Sequence, residues 1–172
     1  MKAAMKEVNE LIRQRYSCRD FELKEVSLED FMVLIDSARR APSGKNGQPW
    51  RFIVVKDEKV KEKIAKESIY ENWIKFANGF IVVYLDKDKS YNYKKDCQGI
   101  GAAIENICLQ ATAMDIGSCW IGEILQKENE VNSIIGVPDN YELMAVVCIG
   151  YAKTKSKSLD RLNLDEIIYK II

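Results

Sequence analysis

Apolar residues recur along this chain in two rhythms, and the places where each rhythm stops mark its elements. Val8, Leu11 and Ile12 stand at i, i+3 and i+4 within 5–14, which predicts a helix from Met5 to Gln14. Phe31, Leu34, Ile35 and Ala38 form the stripe of a second helix. Ser27 supplies its N-cap, Asp30 three residues on makes a weaker capping box, and Pro42 stops it. From 41 to 50 the rhythm is gone: Ala-Pro-Ser-Gly-Lys-Asn-Gly-Gln-Pro-Trp predicts a shaped loop, not helix or central strand. Gly44 and Gly47 leave its backbone open to close approach. Residues 51–56 predict a strand. One or two polar helices follow over 59–76, where Asn72 and Trp73 are expected to pack on the surface. Asn78-Gly79 turns the chain into Phe80-Ile81-Val82-Val83-Tyr84-Leu85, an unbroken apolar run of the kind buried on both faces.

The charged, Tyr-rich stretch 86–95, with Tyr91 and Tyr93, predicts a loop or lid over an edge. Residues 98–114 form the most apolar helix, with apolar residues nearly all round, as in a core or a subunit interface. A helix stop, a short strand and a turn follow over 115–123, then the end of a helix at 134–138, a strand over 143–151 and a basic tail. The order α-α-β-α-β-α-β-α-β-tail predicts an α+β fold of three layers, with helices on both sides of a mixed or antiparallel sheet.

At 172 residues the chain is expected to be a single domain, 1–172. Lys and Arg number 26 against 26 Asp and Glu, so nothing in the charge favours nucleic acid or an acidic membrane surface as partner. The apolar runs are too short to span a bilayer, and no apolar leader follows Met1, so a cytoplasmic location is expected. Five cysteines, widely spaced and without C-x-x-C, argue for neither a disulfide framework nor a zinc site, and no metal is expected. Cys108, Cys119 and Cys148 sit among apolar neighbours and are expected in the core. Histidine is absent, which removes Ser-His-Asp and Cys-His catalysis together. If the protein is an enzyme, its chemistry then belongs to a cofactor.

In extended backbone Arg15, Ser17 and Arg19 share a face, with Tyr16 and Cys18 turned inward. Two guanidiniums flanking a hydroxyl suit an anion such as a phosphate, although a solvated basic edge has the same pattern. The 41–50 loop suits a flat, hydrogen-bonding ligand, although a connector with two turns also meets its composition. Gly99 and Gly101 open no G-x-G-x-x-G after a strand, so a Rossmann site is not supported.

The string APSGKNGQPWRFIVV resembles the signature of the nitroreductase family of FMN-dependent oxidoreductases, of form A-P-S-x-x-N-x-Q-P-W-x-F. Arg15, Ser17 and Arg19 match the family's R-x-S-x-R/K element, and Gly117-Ser118-Cys119-Trp120-Ile121-Gly122 resembles its G-x-C-W-I-G strand and turn. The resemblance implies FMN as cofactor, NADH or NADPH as co-substrate, and an intertwined homodimer with FMN at its interface. It implies FMN contacts from Arg15, Ser17 and Arg19, from Pro42, Ser43, Gly44 and Asn46, and from Ile121, Gly122 and Glu123. Arg19 and the backbone of Gly122 would tune the flavin, and no side chain would act as an acid or base. The family's K/R-x-R pair in the tail maps onto Arg161, with Leu159 where the other base belongs, so that either one phosphate contact is missing or Lys157 stands in for it.

The implied activity is hydride transfer from NAD(P)H through FMN to a small planar acceptor, a nitroaromatic or quinone, by a ping-pong cycle. The alternatives are an FMN store or sensor without fast turnover, and a specialised flavin chemistry such as reductive dehalogenation. The short 86–97 segment leaves little room for the helical excursion by which larger members cover the flavin.

Overall fold

The apolar run at 80–85 lies in the middle of the molecule, in a strand whose every residue is buried. The computed structural model describes residues 8–155 and 160–172; the helix start at Met5, Lys157 and Leu159 fall outside them. The elements are α1 (Val8–Gln14), α2 (Leu28–Ala38), β1 (Trp50–Val55), α3 (Glu58–Lys66), α4 (Glu71–Ile74), β2 (Gly79–Asp86), α5 (Tyr93–Ala113), β3 (Gly117–Ile121), α6 (Glu128–Ile135), β4 (Tyr141–Gly150) and α7 (Leu164–Ile167). The four strands run β1-β2-β4-β3, each antiparallel to its neighbour, so the sheet is antiparallel and not mixed.

Successive β2 side chains face opposite layers. Ile81, Val83 and Leu85 pack with α2 and α5, together with Phe31, Leu34, Ile104 and Ile107. Phe80, Val82 and Tyr84 pack on the other side with Ile64, Ile74 and Val131 from α3, α4 and α6. The result is three layers, helix–sheet–helix, with a core on each side of the sheet. A continuous apolar strand is therefore compatible with antiparallel pairing once helices cover both faces.

Local capping agrees with the sequence. Ser27 Oγ accepts from the Asp30 N–H at 3.0 Å, and Asp30 Oδ2 accepts from the Ser27 N–H at 3.1 Å, a complete capping box. The apolar helix begins five residues earlier than its periodicity predicts, at Tyr93, because Asn92 caps it by accepting from the Lys95 N–H at 3.1 Å. From 99 to 112 no residue of α5 is exposed. Among the described residues of the tail only Leu164–Ile167 is helical, and it buries no residue. Among the described residues no helix is long and apolar enough to cross a membrane.

Four of the five thiols are buried: Cys18, Cys108, Cys119 and Cys148. Burial pushes the Cys18 and Cys119 thiols up, Cys108 up to about 11 and Cys148 well up. Thiolate is the nucleophile, so these four are unreactive near neutrality while the fold is intact. Cys97, half-buried on α5, should be the one thiol per chain that reacts quickly with an aromatic disulfide reagent, all five reacting only after denaturation. Rapid native labelling of more than one thiol would contradict this packing.

Candidate functional site

The two stretches rich in candidate residues lie along different edges of the sheet. After α1 the chain runs extended beside β3. Ser17 forms a parallel bridge with Ser118, and the Cys18 N–H donates to the Ser118 carbonyl at 2.9 Å. This close approach explains Gly117: a Cβ there would lie 2.8 Å from Cys18 Sγ and 3.0 Å from the Gly150 carbonyl. The bridge holds the Arg15–Arg19 segment alongside the strand that ends at Ile121 and is followed by Gly122 and Glu123.

The Cys119 thiol registers what surrounds it. Burial raises its pKa most; the Arg19 charge, a hydrogen bond from Ser17 and the Arg15 charge act in the opposite direction. Both guanidiniums and the hydroxyl thus lie within electrostatic reach of the Cys119 thiol. Arg15 is also held by a residue that the motif does not contain: its Nε lies 3.4 Å from Glu105 Oε1 on α5. Glu105 is the only charged residue between 99 and 114, a signal present in the sequence. Arg19 Nη1 donates to the Ser17 carbonyl at 3.3 Å.

Beyond β3 the backbone is open. A Cβ built on Gly122 meets nothing within 4 Å, and Trp120 beside it is 44% exposed. The Glu123 side chain turns the other way, accepting from Ser68 Oγ at 2.8 Å and from the Ile69 N–H at 3.4 Å. It thereby ties the α3–α4 connection to the end of β3. What Glu123 offers at the open turn is its backbone, not its carboxylate.

The 41–50 loop precedes β1, on the far side of the sheet. It contains one 3₁₀ turn, Gly44–Asn46, which its Gly/Pro content does not predict. Left-handed backbone falls on Lys45 (φ 55°), Asn46 (φ 54°) and Gln48 (φ 48°) and not on Gly44 or Gly47. Such non-glycine positions cost energy and persist only where the surroundings hold them. Part of the hold is internal: Ser43 Oγ accepts from the Gln48 N–H at 3.1 Å, and Gln48 Nε2 donates to the Asn46 carbonyl at 3.2 Å. Trp50 is buried and anchors the loop to the core. Gly99 on α5 is small for a reason: its Cβ would lie 3.2 Å from the Pro42 carbonyl.

Gly101, two residues along, faces Trp120 at 3.7 Å. Two residues turn a helix by about 200°, so Pro42 and Trp120 flank α5 on opposite sides. With strand order β1-β2-β4-β3, three strand spacings of about 4.8 Å separate the two edges. The chain thus sets the Arg15–Arg19 segment beside β3 at Ser118, four residues before the Gly122 turn, and places Pro42, Ser43, Gly44 and Asn46 ahead of β1 at the opposite edge of the sheet. Arg161 stands exposed in the tail, its Nη1 donating to the adjacent Asp160 carbonyl at 3.4 Å.

The donor set fits FMN. Two arginines and a hydroxyl provide charge-assisted donors for a phosphate, and the bare backbone at Gly122 admits a flat ring.

A family model described as the Nitroreductase family matches residues 12–77 and 66–151. A protein of Archaeoglobus fulgidus, provisionally named an NADH dehydrogenase/NAD(P)H nitroreductase, is 34% identical over 169 residues, 95% of this chain and 97% of its own length. A provisionally named nitroreductase of Desulfovibrio desulfuricans, solved in complex with FMN, superposes with a TM-score of 0.92 at 30% identity, covering 97% of this chain and 98% of that one. A protein of Thermotoga neapolitana named iodotyrosine deiodinase is 26% identical over 172 residues, covering 86% of this chain and 89% of its own.

Proposed function

This chain belongs to the nitroreductase family, and we propose that it acts as an FMN-dependent NAD(P)H oxidoreductase that reduces a small planar acceptor, a nitroaromatic or quinone, by a ping-pong cycle. FMN, when bound, supplies the electron transfer between nicotinamide and acceptor. The observation that supports the reading is the Ser17–Ser118 bridge, which sets the Arg15–Arg19 segment beside the strand that leads to the open turn at Gly122. Arg15 and Arg161 hold the phosphate, Arg19 supplies positive charge beside the ring, and the backbone around Gly122 and Glu123 donates to it. None of these roles moves a proton, which suits a chain without histidine. The protein works as one domain in the cytoplasm.

The second group, Pro42, Ser43, Gly44 and Asn46, lies too far across the sheet to serve the same flavin from the same chain. We assign it to the flavin of a second copy, so that a two-fold dimer holds two composite sites. Val8 and Ile12 on α1 are exposed apolar residues that such a dimer would cover.

The purified protein should be yellow and should release one FMN per chain on denaturation. Finding FAD, or no flavin after incubation with excess FMN, would sink the reading. Anaerobic mixing with NADH and with NADPH should bleach the flavin band rapidly; slow bleaching by both would favour a store or sensor. Reductive dehalogenation is the second reading, supported by the likeness to the Thermotoga protein. Iodide release from an iodophenol, with no reduction of nitroaromatics or quinones, would favour it.

A further inference from the structure

We infer that the short 86–92 connection is a brace for the 43–48 loop, and that Tyr91 is the positioning residue that keeps this loop in its flavin-binding shape; the flavin part rests on the function proposed above. Tyr91 lies directly against Gly44. A Cβ on Gly44 would fall 2.5 Å from Tyr91 Cε1 and 2.8 Å from Cζ, with Oη closer still. The ring occupies the space that any other residue at 44 would need. Lys45 Nζ stands 4.9 Å from the ring centroid and Lys95 Nζ 5.5 Å, so cation–π attraction adds to the contact.

Tyr91 is itself fixed from behind. Asp96 is buried, and its Oδ2 accepts from Ser90 Oγ at 2.7 Å, the Tyr91 N–H at 3.2 Å and the Asn92 N–H at 3.1 Å. The other end of the connection is tied to the strand that follows the loop. The Asp86 N–H donates to the Pro49 carbonyl at 2.8 Å, and Arg51 Nη2 meets Asp86 Oδ2 at 2.6 Å. Asn140 Nδ2 donates to both Asp86 Oδ1 at 3.2 Å and Asp88 Oδ2 at 2.8 Å.

A side chain whose backbone is held in this way, yet 43% exposed, contributes little to the core. It closes on the one loop that carries three left-handed non-glycine residues. Backbone of that kind needs outside support to persist, and the internal bonds of the loop all join residues no more than five apart. Without the ring the loop would hold its binding shape for only part of the time, and apparent affinity falls by that fraction.

The test is FMN affinity, read by flavin fluorescence, across four variants. Tyr91→Ala should weaken binding about tenfold, corresponding to a loop competent about one-tenth of the time. Tyr91→Phe keeps the ring and should bind within about twofold of the parent. Gly44→Ala should push the ring away and match Tyr91→Ala, and the double variant should be no weaker than either single one. A structural role alone would lower the melting temperature without this non-additivity; here the melting temperatures of flavin-free protein should stay close together. Unchanged affinity in Tyr91→Ala, or additive losses in the double variant, would overturn the brace.

If the parent protein binds no FMN, the function proposed above fails, but the brace can still be read in the flavin-free chain. The amides of Gly47 and Gln48, bonded to the Gly44 carbonyl and Ser43 Oγ, should then exchange hydrogen faster in Tyr91→Ala than in the parent. Equal exchange would overturn the brace independently.

Discussion

Co-refolding equal amounts of Arg15→Ala and Asn46→Ala protein should restore about a quarter of all FMN sites, although neither variant binds FMN by itself. Random pairing makes about half of the dimers mixed. In a mixed dimer one site collects both defects, and the other receives an intact Arg15 from one chain and an intact Asn46 from its partner. The expectation follows from the strand order. Arg15 stands by β3 and Asn46 precedes β1, and β2 and β4 lie between them. Helix α5 adds a second barrier, with Pro42 packed on one side of it and Trp120 on the other. Differently tagged copies show that mixed dimers have formed. No recovery in dimers so verified would mean that both segments serve one flavin from one chain, and the division of the site would be wrong.

The fold was legible where a single periodicity decided an element. The stripe Phe31, Leu34, Ala38 with its Ser27–Asp30 box, and the run 80–85, appear in the structure much as their patterns predict. The start of α5 was not, because Tyr93-Lys94-Lys95 carries no apolar stripe and the cap depends on one side chain, Asn92. The site divides along the same line. Alternation predicts that Arg15 and Arg19 share a face, but it names neither β3 as the neighbouring strand nor Glu105, since the Arg15–Glu105 ion pair joins positions 90 residues apart. Nor does composition tell which residues take left-handed backbone in the 41–50 loop. Glycine is the usual choice, yet Lys45, Asn46 and Gln48 take it here. Tertiary contact overrides local preference at these positions, and contacts of that kind leave no trace in sequence spacing. The motif likewise does not show that the Glu123 carboxylate serves Ser68 and Ile69.

Arg19→Ala should slow reduction by NAD(P)H far more than it weakens FMN binding, and Arg161→Ala should do the reverse. The difference lies in when each charge meets its partner. A phosphate is charged before, during and after electron transfer, so a contact to it contributes equally to every state and shows as affinity. A charge beside the ring matters most once electrons have arrived, so it shows as rate. Arg19 is the residue we propose for the second role: it follows the Ser17–Ser118 bridge, alongside the strand that leads into the open Gly122 turn. A charge-assisted contact contributes roughly 1.5–3 kcal/mol. At about 1.4 kcal/mol per factor of ten, each loss should be about tenfold to a hundredfold. Arg19 is exposed in the single chain, where solvent screens its charge, so the effect should approach the upper figure only if a bound ring and a second copy exclude water. Stopped-flow reduction at saturating nicotinamide reads the rate, and titration of flavin-free protein with FMN reads the affinity. Arg19→Lys separates charge from shape: it should recover most of the rate if charge is what the ring edge needs, and little if the planar guanidinium is required. Equal loss of affinity in both alanine variants, with reduction rates unchanged, would remove Arg19 from the ring and return it to the phosphate.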